Sequence, residues 1–135
     1  MLRYGMLYGP GTYYDHRGAT ASDIIAGRMP LVEGATGMYS WLHVDDAASA
    51  TVAALDRGSA GVYNVVDDEP APQYEWLPVL ARALHADPPA PAQTRPPAHT
   101  TVMSLRGASN AKAKRELGWR PRYATWRDGF AASLT

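Results

Sequence analysis

The chain has 135 residues, 46% hydrophobic and 19% charged, and its 13 basic and 13 acidic side chains balance to zero formal charge. That size and composition suit one folded unit, exclude global disorder and leave no electrostatic footprint for nucleic acid. There is no cysteine, so neither disulfide nor thiolate chemistry is available, and no apolar run reaches membrane-spanning length.

Residues 2–8 form a short apolar run ending at Gly9-Pro10-Gly11, the pattern of a buried strand entering a tight loop. Residues 20–28 predict a short helix capped by Thr20 or Ser22 and closed near Gly27. Residues 30–32 and 38–44 read as two strands around Gly34-Ala35-Thr36-Gly37, a β-hairpin signal. In the second of these, alternation puts Tyr39, Trp41 and His43 on one face and Ser40, Leu42 and Val44 on the other. Asp45 or Asp46 then caps a helix reaching about Asp56, with Ala48, Val52 and Leu55 at helical spacing.

The β-branched run 62–66 predicts a further buried strand. A helix over 74–84 gathers Trp76, Leu77, Leu80, Ala81 and Leu84 on one face, and Pro78 demands a late start or a kink. Five prolines in 86–100 make an extended, partly stiff connector. A helix from a Ser109 cap to Leu117 is stopped by Gly118 in the left-handed conformation. The last helix starts at a Thr125 cap with Asp128 three residues on. Trp119, Trp126 and Phe130 are expected to pack these C-terminal helices together.

Charge is unevenly spread, with nine acids and four bases in 1–70 and four acids and nine bases in 71–135. Docking of complementary halves is one reading, but a solvated surface is preferred, because exposed ion pairs contribute little. His43, Asp45 and Asp46 could suggest a metal or acid–base pair, yet acidic groups at a helix start serve its free N–H groups and dipole. His16, His85 and His99 share no ligand spacing with His43, so no metal site is expected. Asp15, His16 and Ser22 resemble a hydrolytic triad only superficially, since no G-x-S-x-G elbow is present. The basic run 112–122 with Trp119 reads as a solvated helix face, because Glu116 lies inside it and the chain is neutral.

Three segments together carry more: LRYGMLYGPGT at 2–12, WLHVDDAASATVAAL at 41–55 and KAKRELGWRPRYATWRDGF at 112–130. In order and spacing the set resembles the C-terminal part of the extended short-chain dehydrogenases/reductases, the NAD-dependent epimerase/dehydratase family. The resemblance implies an α/β fold: the edge of a parallel Rossmann-type sheet plus a small, mostly helical substrate-binding lobe with a β-hairpin. Residues 1–135 would be a single incomplete unit with 86–100 as its internal connector. The family activity is NAD(P)-dependent oxidoreduction, epimerisation or dehydration of a small hydroxyl or carbonyl compound.

The motifs that carry that chemistry are not in these residues. No G-x-x-G-x-x-G or G-x-G-x-x-G exists, and neither Lys112 nor Lys114 has a tyrosine four residues before it, as the family's Tyr-x-x-x-Lys pair requires. No catalytic residue and no cofactor are therefore expected for this chain alone, although the full-length family uses NAD(P). By resemblance, Tyr4 and Gly5 would lie beside the nicotinamide, and Met6, Tyr8 and Arg106 would contact substrate. Many nucleotide-sugar members read R-Y-F-N-x-Y-G-P where this chain reads Arg3-Tyr4-Gly5-Met6-Leu7-Tyr8-Gly9-Pro10. A thioether cannot supply a carboxamide's donors and acceptor, so Met6 tilts the substrate toward a less polar compound. The other reading of Tyr4 and Met6 is core filling.

The expected partners are a small-molecule substrate and, through an exposed strand at 2–7, a second copy or an N-terminal half. Neither nucleic acid nor a membrane is expected, and the N-terminus lacks the apolar core of a signal peptide, so the expected location is the cytoplasm. The alternative function is a non-catalytic module that binds a partner chain or a small ligand.

Overall fold

The computed structural model describes residues 1–134. It is an α/β structure in which short parallel strands separate two hydrophobic layers. The first apolar run is broken at Gly5 into β1 (Leu2–Tyr4) and β2 (Met6–Tyr8). β1 pairs in parallel with β5 (Tyr63–Val65), Leu2 opposite Tyr63. β2 pairs in parallel with β4 (Trp41–His43), Met6 opposite Trp41. At the break the hydrogen bonding changes hands: Gly5 N–H donates to the Val65 carbonyl at 3.1 Å, and Met6 N–H donates to the Ser40 carbonyl at 2.8 Å. The handover needs glycine, because a Cβ at position 5 would lie 2.6 Å from the Ser40 carbonyl oxygen.

This corrects two expectations. The run 2–7 is not one strand with a single partner, since from Met6 onward it is paired with β4. The hairpin of 30–32 with 38–44 does not form either. Instead β3 (Met38–Tyr39) pairs antiparallel with β6 (Ala71–Pro72), and Leu31 bridges to Pro91 in the proline-rich segment. Turn chemistry at 34–37 permitted a hairpin, but the alternation of 39–43 buries both faces, which an isolated hairpin cannot do.

That alternation organises the interior. Tyr39 and Trp41 enter a layer with Tyr8, Trp76, Leu77, Leu80, Trp126 and Phe130, beneath α1 (Ala19–Ile25), α3 (Gln73–Ala83) and α6 (Trp126–Ser133). Leu42 enters the opposite layer with Tyr63, Val65, Leu117 and Trp119, beneath α2 (Val44–Arg57) and α5 (Ala111–Leu117). Trp41 is the hub of the first layer, with ring centroids of Trp76 and Phe130 each at 5.0 Å and Tyr14 at 4.9 Å. Edge-to-face pairs of this kind add roughly 0.5–1.5 kcal/mol each beyond burial. Trp126 and Phe130 join that cluster, whereas Trp119 lies in the other layer and donates its indole N–H to Ser49 Oγ at 2.9 Å. The expected single C-terminal aromatic cluster is therefore two.

The helices follow the pattern with informative exceptions. α3 buries Trp76, Leu77, Leu80, Ala81 and Leu84 as its spacing requires. Pro78 sits in its second turn, beyond the permissive start, above the exposed Tyr74 whose carbonyl loses a donor to solvent. α1 is preceded by Gly18 without side-chain capping, rather than by Thr20 or Ser22. α5 ends at Gly118 with φ +62°, and Thr125 caps α6 by accepting from Asp128 N–H at 3.5 Å. Ser109 Oγ accepts from Ala111 N–H at 3.2 Å, one residue before the N-cap Asn110. A short helix, α4 (Thr101–Ser104), completes the set.

α2 turns the wrong way relative to its apolar spacing. Val52 and Leu55 are 67% and 85% exposed, and Ala48 is exposed with them. The buried face is Asp46, Ala47 and Ala50, small residues that let the helix approach the sheet. The cap is also different. His43 caps α2, its Nδ1 accepting from Asp45 N–H at 3.1 Å. Asp46 reaches away and accepts from the Arg122 and Tyr123 amides at 2.7 and 3.1 Å, fastening the approach to α6.

Candidate functional site

Of the residues singled out in the sequence, all but Tyr8 converge on one open cleft. Tyr4, Gly5, Met6 and Arg106 line a cavity of about 600 Å³ together with Arg3 and Met38. Arg106 is brought there from 100 positions away by the segment that follows α4. Met38 N–H donates to the Leu105 carbonyl at 2.7 Å, and Ala108 N–H donates to Ser40 Oγ at 2.8 Å. Gly107, at φ +72°, lets this segment press on Pro70, whose Cβ would be 2.9 Å from any Cβ at 107. Tyr4 is held by its phenol, 2.6 Å from Thr51 Oγ1 on α2.

Met6 and Gly5 also border a second, larger cleft of about 1030 Å³, formed with the loop after β2 and Val44. That loop is shaped by Gly9 and Gly11 at φ +107° and +80°. A Cβ on Gly9 would lie 2.7 Å from His43 Nε2. The Asp15 carboxylate accepts from Gly11 N–H at 3.0 Å, which holds its pKa below the usual value. Asp15 does not meet the other members of the superficial triad: His16 Nε2 contacts the Leu134 carbonyl, and Ser22 Oγ donates to Gly18.

Tyr8 is the exception among the proposed substrate contacts. It is 0% exposed and lines neither cleft. Strand alternation that puts Met6 at the cleft should also put Tyr8 there, but α6 covers the end of β2. The Tyr8 ring meets Phe130 at 4.9 Å and His43 at 5.2 Å, and its hydroxyl abuts Gly129. Burial pushes its pKa well above the ordinary phenol value. It is a core residue.

Around Tyr8 the structure collects a polar cluster that the sequence did not signal. Asp67 is 2% exposed; its Oδ1 accepts from Glu69 N–H at 3.1 Å, and its buried Oδ2 has no hydrogen-bond partner among the described residues. Burial pushes its carboxyl up to about 7. His43 is buried, and desolvation lowers its pKa. Because Nδ1 accepts an amide proton, the ring is neutral there, and its 3.8 Å approach to the Asp45 carboxylate is not an ion pair. Elsewhere Asp68 pairs with Lys114 at 2.5 Å and accepts from Asn110 Nδ2 at 2.7 Å, while Arg127 binds Glu69 and Glu75.

The start of α2 is a poor seat for a dinucleotide. Its pyrophosphate needs free amides at a helix N-terminus that follows a parallel strand. The helix following β4 begins with Asp45 and Asp46, which would repel a phosphate. The remaining contribution this surface could make is the edge near Tyr4 and Gly5. Among the described residues no group of three or more His, Asp or Glu side chains is arranged to hold a metal ion, and no helix is long and apolar enough to cross a membrane.

Residues 1–66 match the NAD dependent epimerase/dehydratase family. The chain is 48% identical to a Streptomyces 3-diazoavenalumate denitrifying reductase over 96% of its own length and 45% of that protein. It is similar to the structure of a conserved Silicibacter pomeroyi protein of unknown function, with TM-score 0.74 and 28% identity, covering 97% of this chain and 46% of the other. It is also similar to the Thermus thermophilus UDP-glucose 4-epimerase solved with NAD, with TM-score 0.68 and 26% identity, covering 98% of this chain and 44% of the epimerase. The chain thus spans just under half the length of these relatives.

Proposed function

We propose that the chain, whose residues 1–66 match the NAD dependent epimerase/dehydratase family, forms the substrate-binding part of a nicotinamide-dependent reductase. The dinucleotide site and the proton-transferring Tyr–Lys pair are supplied from outside these 135 residues. Tyr4 and Gly5 face the nicotinamide; Met6 and Arg106 contact a small, weakly polar substrate with a reducible carbonyl or diazo group. The observation that carries this reading is the convergence of Arg106 with Tyr4, Gly5 and Met6 on one open cleft. The identity to a reductase named for a diazo substrate, and a thioether at the position where nucleotide-sugar enzymes carry asparagine, both favour reduction of a less polar compound over sugar epimerisation.

A second surface favours a partner-binding role within the same proposal. Among the described residues Leu2–Tyr4 has its strand partner in β5, and the exposed Tyr4 bonds Thr51 on α2, the helix that also exposes Val52 and Leu55. An N-terminal half or a second copy would cover this apolar stripe and pair the free strand edge.

The test joins the chain to the dinucleotide-binding half of the Streptomyces reductase, follows NADH and NADPH oxidation with 3-diazoavenalumate, and analyses the sugar-nucleotide products formed from UDP-glucose with NAD. Reduction of the diazo compound is expected, and the 135-residue chain alone should bind NAD or NADP no more tightly than about millimolar, for want of a pyrophosphate-binding helix terminus. A chimera that folds, binds NAD and epimerises UDP-glucose instead would overturn the reading. Micromolar dinucleotide binding by the chain alone would do the same.

A further inference from the structure

We propose that the 600 Å³ cleft is a carboxylate site, taking a flat, conjugated organic monocarboxylate whose anionic end is held by Arg3 and Arg106 and whose body lies on Met6, Met38 and Leu105. The proposal rests on the reading of this cleft as the substrate site and names the class of substrate.

Charge comes first. Two arginines line the cleft and no acidic residue does. Neither guanidinium has an ion-pair or hydrogen-bond partner among the described residues, whereas Arg28 and Arg127 are each bound to a carboxylate. Both side chains are exposed, so the cleft presents a positive rim that attracts an anion. The guanidinium fork matches a carboxylate in the plane, with two N–H donors to two oxygens.

The opposite wall decides what the anion is attached to. Met6, Met38 and Leu105 offer no hydrogen-bonding group of consequence. Of the polar side chains between them, Ser40 Oγ accepts from Ala108 N–H, Asn64 Nδ2 donates to the Ser109 carbonyl at 3.5 Å, and Ser109 Oγ accepts from Ala111 N–H at 3.2 Å. A sugar set against Met6, Met38 and Leu105 would find few partners for its hydroxyls, at about 1–3 kcal/mol for each group left unpaired. A conjugated hydrocarbon body loses nothing comparable, and methionine sulfur makes favourable contacts with aromatic edges. A volume of about 600 Å³ falls within the range of sites that take one small molecule.

The experiment uses the 135-residue chain with ¹³C-methyl methionine and trans-cinnamate as the probe. Of the five methionines, only Met6 and Met38 line the cleft. Their methyl signals should move together and saturably, at a submillimolar midpoint on the usual scale for a fragment-sized ligand, while Met29 and Met103 stay in place. Arg106→Gln and Arg3→Gln, at exposed positions that leave the methionine spectrum dispersed, should each weaken binding about tenfold, as loss of one charge-assisted fork predicts. Cinnamyl alcohol, which keeps the body and lacks the carboxylate, should bind at least about tenfold more weakly. Equal binding of the alcohol and the acid overturns the proposal. So does saturation by UDP-glucose at lower concentration than cinnamate, or no saturable shift up to roughly 10 mM. The titration uses no cofactor and no second half, so a failed reductase assay with cinnamate still bound refutes the reductase reading and not the carboxylate site.

Discussion

Asp67 links burial to a measurable pH dependence. Its carboxyl is pushed from 3.8 to about 7, first by desolvation and then by the neighbouring Glu69 and Asp68 charges, against the Glu69 and Trp126 amides that lower it. Below pH about 4 the group is protonated folded and unfolded, and contributes nothing to the balance. Between about 4 and about 7 the unfolded chain ionises while the native state keeps its proton, so stability falls as pH rises. Above about 7 both states are ionised and the loss is complete. A difference of about three pKa units corresponds to about 4 kcal/mol, a large part of the net stability of a domain this size. Asp67→Asn removes the titration, keeps an acceptor for Glu69 N–H and puts a donor where the buried Oδ2 has no partner. The variant should match the parent near pH 4 and exceed it by about 4 kcal/mol near pH 8. Urea unfolding of both proteins at intervals from pH 4 to 8 measures this, and subtracting the two curves cancels the other carboxylates. A difference that is flat with pH would show that Asp67 ionises at an ordinary value in the folded state, and the burial argument would fail.

Trp126→Ala should cost about 3–5 kcal/mol, because the ring is fully buried against Phe130 and its indole N–H donates to the Glu69 carbonyl at 3.0 Å; an unchanged melting temperature would refute that packing. Gly129→Ala should destabilise by more than about 2 kcal/mol, since the added Cβ would lie 1.7 Å from the Tyr8 hydroxyl. A variant at 129 as stable as the parent would place Tyr8 elsewhere. The purified chain should not remain monomeric at tens of micromolar, the usual range for edge-driven association, because the outer edge of β1 carries only Arg3 as a charge. Light scattering after size-exclusion chromatography decides this, and a clean monomer would mean that the edge of β1 is protected.

The site was legible to the extent that its residues sit in local motifs. Tyr4, Gly5 and Met6 are consecutive, and Arg106 lies just before the 112–130 motif, so each could be picked from sequence and then found in the same cleft. Met38 and Leu105 gave no signal, because they reach the cleft only through the Met38–Leu105 hydrogen bond between distant segments. Tyr8 was misplaced for the converse reason. Its period-two relation to Met6 is local, while the helix that buries it begins more than a hundred residues later.

For the fold, sequence determined what depends on near neighbours. It marked the breaker at Gly118, the cap at Thr125, the apolar face of α3 and the two-sided alternation of 39–43, each a matter of φ/ψ preference or side-chain period within a turn or two. Tertiary structure alone decided pairing and orientation. Gly5 transfers the first strand from β5 to β4 because the Ser40 carbonyl comes within 2.6 Å of where a Cβ would stand. Asp46, a cap by propensity, instead binds the amides of Arg122 and Tyr123, and His43 takes the cap. The apolar spacing of Ala48, Val52 and Leu55 named a face of α2, but close packing chose the alanine face for the sheet, because small side chains let helix and strands approach while the bulkier stripe is left outside.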